Sequence, residues 1–515
     1  MPDRLRVAFA AAECSPWCST GGLGEVAAAL PKALAAEGAD VAVYFPLYRQ
    51  AKNAMRDKKA KLRSTGTGCT VQLGAHRIEA RVWQVIANEP AVLPAEDTAD
   101  PAPEHRGPGR IRWYAVDCPP LFDREGMYGH GDDAARYSTF ARTVLSTATA
   151  LLGGQPDIVH GHDWHTALLP LYLEGPYRHL LPRAASVLTI HNLAYQGVFA
   201  ADELATIGLS PTFFHPERLE YWGRQNWLKG GISAADATTT VSRRYADEIR
   251  TAEFGERLDG VLRLHERRLY GILNGIDTDL WNPATDPDLA DHYSAQDLSG
   301  KKACRSALLR MCRMDPADPH PVFGVISRLT KQKGLDLVAE LMPYLAARSV
   351  RVILLGQGEP ALEQKFSELE RQYWPYLRIE LGFDRKLSHV LQAGSDATLM
   401  PSRYEPCGLT QLYAMRYGTV PIVRATGGLY DTVVHAWPGA MHDGAATGFS
   451  FEGADVQGLQ WAVDRALEVY YTQPAQWRQI QLNGMRQDFS WARSAEQYIW
   501  VYKRAIQRQR ARFHG

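Results

Sequence analysis

Three short segments of this chain gather residues suited to phosphate and sugar chemistry. The first, S-R-L-T-K-Q-K-G from Ser327 to Gly334, carries Arg328 and Lys333 just after an apolar run. An arginine fork and a lysine point charge in one loop would neutralise a diphosphate, although a bare pair of this kind also suits a charged surface loop. The second, P-S-R-Y-E-P-C-G-L-T from Pro401 to Thr410, leaves another apolar run, turns at Pro406 and enters a helix near Gly408. The N–H groups of Cys407, Gly408, Leu409 and Thr410 would meet an anion there. Glu405 lies beside that anion site. It would face a positive centre, such as an oxocarbenium-like sugar, or merely complement the helix dipole. The third, T-I-H-N-L-A-Y-Q-G from Thr189 to Gly197, sets His191 at the end of a strand-like run. That histidine would hydrogen-bond a sugar hydroxyl or serve the core.

Two further patterns bear on these segments. Thr-Gly-Gly-Leu occurs twice, at Thr20, Gly21, Gly22 and Leu23 and again at Thr426, Gly427, Gly428 and Leu429, and an acid follows each copy, Glu25 and Asp431. A glycine pair between strand and helix lets backbone N–H groups approach an anion, so two copies suggest two α/β domains facing one ligand. The run His160, Gly161, His162, Asp163, Trp164, His165 nearly matches the H-x-H-x-D-H pattern of metal-dependent hydrolases. The aspartate and its neighbour are exchanged, so Asp163 projects from the wrong position for that ligand set.

These loops need a scaffold that presents them at strand ends. The 515 residues allow two large domains or about three smaller ones, and a 45% apolar content is ample for buried cores. Lys plus Arg number 57, as do Asp plus Glu, so no net field recruits nucleic acid or an anionic membrane. Seven cysteines without a C-x-x-C pair read as free thiols in a reducing compartment. No apolar stretch is long enough to span a bilayer, and a soluble cytoplasmic protein is expected.

Strand-like runs at 7–12, 41–45, 111–116, 158–160, 187–190 and 237–241 surround a helix over 24–38 in the first half. Residues 88–110, rich in Pro, Ala, Asp and Glu, read as an exposed insertion. The second half alternates more regularly. Strands are expected at 322–327, 350–355, 378–381, 397–400 and 420–423, with helices at 335–347, 360–373 and 409–417. Such alternation means a doubly wound parallel sheet, in which ligands bind beyond the carboxyl ends of the strands. The tail, 495–512, reads as a long basic helix that either packs back on the first domain or is solvated.

In one order along nearly the whole chain, S-R-L-T-K-Q-K-G-L-D, S-R-Y-E-P-C-G-L-T-Q-L, H-N-L-A-Y-Q-G, H-D-W-H and L-N-G-I-D resemble the bacterial glycogen synthases and plant starch synthases. The resemblance implies an α/β protein of GT-B architecture, with two Rossmann-like domains and an active site in the cleft between them. Residues 1–273 would form the acceptor-side domain and 274–490 the nucleotide-sugar domain, with 491–515 a helix returning to the first. It implies transfer of glucose from ADP-glucose to the non-reducing end of an α-1,4-glucan or glycogen primer, with retention of configuration and without metal or cofactor. By the same resemblance, Arg328 and Lys333 bind the donor diphosphate, and Glu405 supports the reacting glucose. His191 reaches its 6-hydroxyl region with Asn274 nearby. Asp163 and His165 belong to the cleft wall, Tyr128 is a cleft tyrosine, and Phe383 lies against the adenine. Gly408, Leu409 and Thr410 offer N–H groups to the phosphates.

The family's first loop usually reads K-T-G-G-L, whereas this chain has Ser19 before Thr20, and Glu25 replaces the usual aspartate. One positive charge is missing from the donor side. A transferase of the same architecture using UDP-glucose or another donor is the nearest alternative. A metal-dependent hydrolase built on His160, His162 and His165, and a glucan-binding protein without catalysis, are the others.

Overall fold

The computed structural model describes residues 4–86 and 107–514, so the expected insertion lies outside the described residues except for 107–110. Two compact units divide the chain. Unit 1 comprises residues 1–241, 246–275 and 491–515, and unit 2 comprises residues 242–245 and 276–490.

Unit 1 is built on nine strands: β1 (Arg6–Ala10), β2 (Asp40–Pro46), β3 (Lys61–Leu73), β4 (His76–Ile86), β5 (Ile111–Asp117), β6 (Ile158–His162), β7 (Ala185–Ile190), and two introduced below. A second, three-stranded antiparallel sheet holds β8 (Val198–Ala200), β9 (Glu220–Tyr221) and β10 (Arg224–Asn226) in the order β8-β10-β9. With β11 (Ala237–Thr240) and β12 (Leu269–Gly271), the main sheet runs β12-β11-β7-β6-β1-β2-β5-β4-β3. Its strands run parallel except for β4, which pairs antiparallel with both β3 and β5. Val7, Ala8, Phe9 and Ala10 are fully buried, as expected for a strand covered on both faces.

The helix Trp491–His514 packs on the helix Gly22–Ala36 and on β7. Ala495, Tyr498, Val501, Tyr502 and Ala505 form its buried stripe at the three- and four-residue spacing of an amphipathic helix. It also supplies polar contacts. The Tyr502 hydroxyl lies 2.8 Å from His160 Nδ1, and Gln509 Nε2 donates to Pro182 O at 2.9 Å.

Unit 2 has one parallel six-stranded sheet. Its strands are β13 (Val322–Ile326), β14 (Arg351–Gly356), β15 (Leu377–Leu381), β16 (Ala397–Met400), β17 (Val420–Arg424) and β18 (Phe449–Phe451), ordered β15-β14-β13-β16-β17-β18. The helices Leu335–Ala347 and Val456–Thr472 cover one face, where Val338, Met342, Leu354, Leu399 and Val463 share a core.

The direction of strand succession reverses between β1 and β6 in unit 1 and between β13 and β16 in unit 2. Loops leaving the carboxyl ends of neighbouring strands splay apart at such a reversal and leave a crevice for ligands. The four loops concerned start at Ala11, Asp163, Ser327 and Pro401.

The helix Trp491–His514 makes one energetic link readable. His160 is wholly buried, with its second nitrogen 2.7 Å from Thr189 Oγ1. Replacing Tyr502 by Phe strands Nδ1 away from water, at a cost of about 1–3 kcal/mol. Denaturant unfolding of Tyr502→Phe should show the earlier-melting component assigned to unit 1, with the unit 2 component unmoved.

Candidate active site

In unit 1, the loop after β1 is organised by a residue that the motifs did not single out. Glu13 is 4% exposed, and its carboxylate accepts three hydrogen bonds. Thr20 donates to it twice, through N–H at 2.8 Å and Oγ1 at 2.6 Å, and the Tyr128 hydroxyl donates at 2.7 Å. Neutral donors thus compensate a buried carboxylate and fix both Thr20 and Tyr128. Beyond Thr20, Gly21 and Gly22 are exposed, and a Cβ on Gly21 would meet nothing within 4 Å. These glycines leave backbone open to an incoming group. The Ser19 hydroxyl donates to Gly21 O at 3.0 Å, and a Cβ on Gly24 would come within 2.5 Å of Ser19 Oγ. Glu13 was legible only from its position just past a buried strand.

The loop after β6 turns at Asp163, whose φ of +57° is rare for a residue with a side chain. Its carboxylate accepts from His191 N–H at 2.7 Å, and so holds the chain leaving β7. Burial pushes the Asp163 carboxyl up to about 7, against the lowering effect of the His191 and Asn192 N–H groups. His191 Nε2 lies 2.9 Å from His162 Nδ1. Desolvation brings His191 down to about 3 although part of the residue still touches solvent, so its ring is neutral at pH 7. The His165 ring is centred 4.0 Å from that of Trp164 and 4.8 Å from that of Tyr128, tilted against both, and desolvation also lowers its pKa to about 3. Its Nδ1 and the Asn274 Oδ1 are buried without a hydrogen-bond partner among the described residues.

The metal-ligand reading of His160, His162 and His165 fails on this geometry. Both nitrogens of His160 are engaged, by Tyr502 and Thr189, and His162 Nδ1 is engaged by His191. Among the described residues, the group whose ligand atoms lie close enough to share an ion is instead Asp286, Asp288 and His389. There His389 Nδ1 and Asp286 Oδ2 are already paired at 2.6 Å, under the stacked ring of Trp281.

In unit 2, Lys333 Nζ reaches both Glu405 oxygens, at 2.8 and 2.6 Å, and Ser402 Oγ donates to Oε2 at 2.9 Å. Glu405 is 4% exposed, so the ammonium supplies the counter-charge that the interior lacks. The loop after β13 and the loop after β16 are therefore joined by an ion pair. Close backbone approach reinforces it: a Cβ on Gly334, at φ +66°, would stand 2.0 Å from Pro401 O. Arg328 is exposed and has no side-chain partner among the described residues. Phe383 is 83% exposed and follows Gly382 at φ +122°.

The anion-site segment begins its helix at Thr410 rather than Gly408. Gly408 adopts φ +70°, and Gln411 Nε2 donates to the carbonyls of Cys407 and Gly408 at 3.0 and 3.1 Å. The first-turn N–H groups that follow Leu409 have no intrahelical acceptor.

The second Thr-Gly-Gly-Leu copy departs from the expected anion cradle. Gly428 N–H donates to Glu405 O at 3.0 Å. A Cβ on Gly427 would lie 1.9 Å from Glu405 O, and one on Gly428 would lie 2.0 Å from Cys407 O. These glycines make room for the turn that carries Glu405. Ser242 closes the same turn from another side, donating to Pro406 O at 2.6 Å.

Two family models match the chain in tandem: the starch synthase catalytic domain over residues 6–264 and the group 1 glycosyl transferases over residues 315–481. With a mainly parallel sheet in unit 1, a parallel one in unit 2 and polar loops at each strand reversal, they define a glycosyltransferase of GT-B architecture. The chain is 41% identical over 517 residues to a glycogen synthase of Moorella thermoacetica, covering 99% of both chains. It is 42% identical over 509 residues to one of Anaeromyxobacter dehalogenans, covering 97% of this chain and 99% of the relative. Among solved structures it superposes with a TM-score of 0.86 and 34% identity on the catalytic domain of starch synthase IV from Arabidopsis thaliana bound to ADP and acarbose, covering 98% of this chain and 100% of that one. The chain belongs to the glycogen synthase and starch synthase family.

Two outcomes follow from this geometry. Gly427→Ala meets both a left-handed φ of +45° and a backbone carbonyl, so it should displace Glu405 and lose most activity while unit 2 stays folded by circular dichroism. The second concerns pH. His160, His165 and His191 are held near 3 and His162 is also pushed well down, chiefly by desolvation. In the unfolded chain they protonate near 6.5. Their contribution is therefore complete above pH 6.5 and is lost as pH falls toward 3, at about 1.4 kcal/mol per pH unit for each proton. Asp163 acts in the opposite sense, losing its contribution as pH rises toward 7. Four histidines outweigh one aspartate, so melting of unit 1 should move to lower temperature from pH 6.5 to 4.5, with a shallower slope in His160→Asn.

Proposed function

We propose that this chain transfers glucose from ADP-glucose to the non-reducing end of an α-1,4-glucan, with retention of anomeric configuration. The observation that carries the reading is the assembly in unit 2 of Lys333, Glu405 and Ser402, with the unpartnered Arg328 on the same loop as Lys333. It offers positive charge for a diphosphate beside a buried carboxylate for an electron-poor sugar. The solved starch synthase IV catalytic domain is bound to ADP, which supports adenine as the base.

In this reading Arg328 takes the diphosphate as a fork, and Lys333 swings part of its charge from Glu405 to the leaving phosphate. N–H groups of Gly408, Leu409 and Thr410 hold the phosphate oxygens, and Phe383 offers its exposed ring to the adenine. The C1–O bond to the diphosphate breaks as positive charge grows on the glucose. Negative charge stays on the departing nucleotide, where fixed cations and dipoles stabilise it without reorganising. Glu405, held by Ser402, lies against the positive centre. The acceptor hydroxyl attacks C1 from the face the phosphate leaves, and a phosphate oxygen takes its proton.

Unit 1 supplies neutral polar groups. His191, Asn274, Tyr128 and the Thr20, Gly21 and Gly22 backbone bind sugar hydroxyls. Asp163 acts as a positioning residue through the His191 backbone, and His165 through its ring contact with Tyr128. Ser19 leaves the donor side with one cation fewer than the family's usual loop, so Arg328 and Lys333 carry the diphosphate. No described helix is long and apolar enough to cross a membrane, and all seven cysteines are unpaired, which supports placement in the cytoplasm.

Purified enzyme with glycogen primer and ADP-, UDP- or GDP-glucose tests the reading. Transfer should be fastest from ADP-glucose, and preference for another nucleotide would overturn the donor assignment. Arg328→Ala removes an exposed, unpartnered side chain, so it should lower kcat by about 10²- to 10³-fold with an unchanged melting temperature. Lys333→Ala should lose activity and also stability, because it leaves Glu405 buried without its counter-charge.

A further inference from the structure

Unit 1 contains a cavity of about 560 Å³ beside the H-N-L-A-Y-Q-G loop, lined among others by Trp164, Tyr195, Gln196, Tyr221 and Arg257. Its rim is unusual in backbone and in composition. Seven non-glycine residues among those described have positive φ, and three of them, Trp222 at +49°, Glu256 at +47° and Arg257 at +64°, gather here. Trp222 and Gly223 form the two-residue turn between β9 and β10. A turn with both central residues at positive φ favours Asn-Gly or Asp-Gly, and tryptophan is a poor choice on local grounds. Residues kept against local preference cluster where they act on a ligand.

The rim is also held in place. Gln196 Nε2 donates to Glu256 O at 2.9 Å, and Asn226 Nδ2 donates to Gln196 Oε1 at 2.6 Å. The hairpin, the H-N-L-A-Y-Q-G loop and the Glu256–Arg257 turn are thereby one unit. Upon it stand two large exposed aromatic side chains, Trp222 at 68% and Tyr195 at 54%. The Trp222 ring lies 4.4 Å from that of Tyr221, with the Arg257 guanidinium 5.5 Å from its centre.

We infer that this rim and cavity grip an internal stretch of the acceptor α-1,4-glucan, with Trp222 setting the preference for long chains. A pyranose ring presents a C–H face that packs on an aromatic ring, and edge hydroxyls that suit the side chains of Glu256 and Arg257. Adjacent Glu256 and Arg257 offset each other in charge, so the site suits a neutral polyhydroxylated chain rather than a nucleotide. The volume exceeds that of a single hexose. The placement rests on the proposed glucan acceptor and adds to it a contact away from the reacting end.

Wild type, Trp222→Ala and Trp222→Tyr, each checked for folding by circular dichroism, are assayed with saturating donor and either glycogen or maltotriose. Trp222→Ala should raise KM for glycogen about tenfold, the worth of one aromatic contact, with kcat, donor KM and maltotriose KM unchanged. Trp222→Tyr should stay near wild type. An unchanged glycogen KM in Trp222→Ala, or an equal rise for both acceptors, would overturn the inference. Calorimetric titration with maltoheptaose alone separates the two proposals. A wild type that transfers to no glucan defeats the proposed reaction, whereas equal maltoheptaose affinity in wild type and Trp222→Ala defeats this inference.

Discussion

A buried carboxylate must be solvated by the protein, and each unit of this chain is organised around one. Glu13 in unit 1 and Glu405 in unit 2 are both 4% exposed, and both lie in loops leaving parallel strands at a reversal of strand order. They are compensated differently. Glu13 is surrounded by neutral donors from Thr20 and Tyr128, which satisfy it without added positive charge. Glu405 is met by the positive charge of Lys333. A lysine that can divide its charge between a carboxylate and a phosphate suits a reaction in which charge moves.

Close backbone packing makes that arrangement specific. Gly334 lets the Lys333 loop approach Pro401, while Gly427 and Gly428 admit the backbone from Glu405 to Cys407. The two glycine repeats that look alike in sequence therefore do different work. The first leaves exposed backbone at Gly21 and Gly22, and the second is filled by protein. Unit 1 shows the same economy with strain. Asp163 holds a left-handed backbone so that its carboxylate reaches the His191 N–H, which ties the loop leaving β6 to the chain leaving β7.

How much of this was legible depended on how local the cause was. The helices Leu335–Ala347 and Pro360–Tyr373 and the strand Ala397–Met400 follow the sequence pattern residue for residue, because strands buried on both faces and helices with one apolar stripe leave strong signals. The long pair β3 and β4 was not read: most of β3 is solvent-exposed, and its polar residues resemble a loop. The short strands β8, β9 and β10 are too brief to show a period. At the candidate site, position after a strand is what points to Arg328, Lys333, Glu405 and His191. It was not enough to pair Lys333 with Glu405 across 72 residues, or His160 with Tyr502 across 342. No local pattern encodes such distant partners, and the Tyr128 donor to Glu13, 115 residues away, was hidden for the same reason.

The same distant pairing bears on how the chain is made. Unit 1 is discontinuous, because residues 276–490 of unit 2 are inserted before its last helix. On a ribosome, unit 2 has all of its strands out of the exit tunnel while the first unit still lacks the cover for β7 and the hydroxyl that satisfies His160. The order of synthesis is therefore not the order of completion: the unit begun first is finished last. Until the helix Trp491–His514 is made, the part of the sheet around β7 lacks its apolar cover, a state prone to association with other chains.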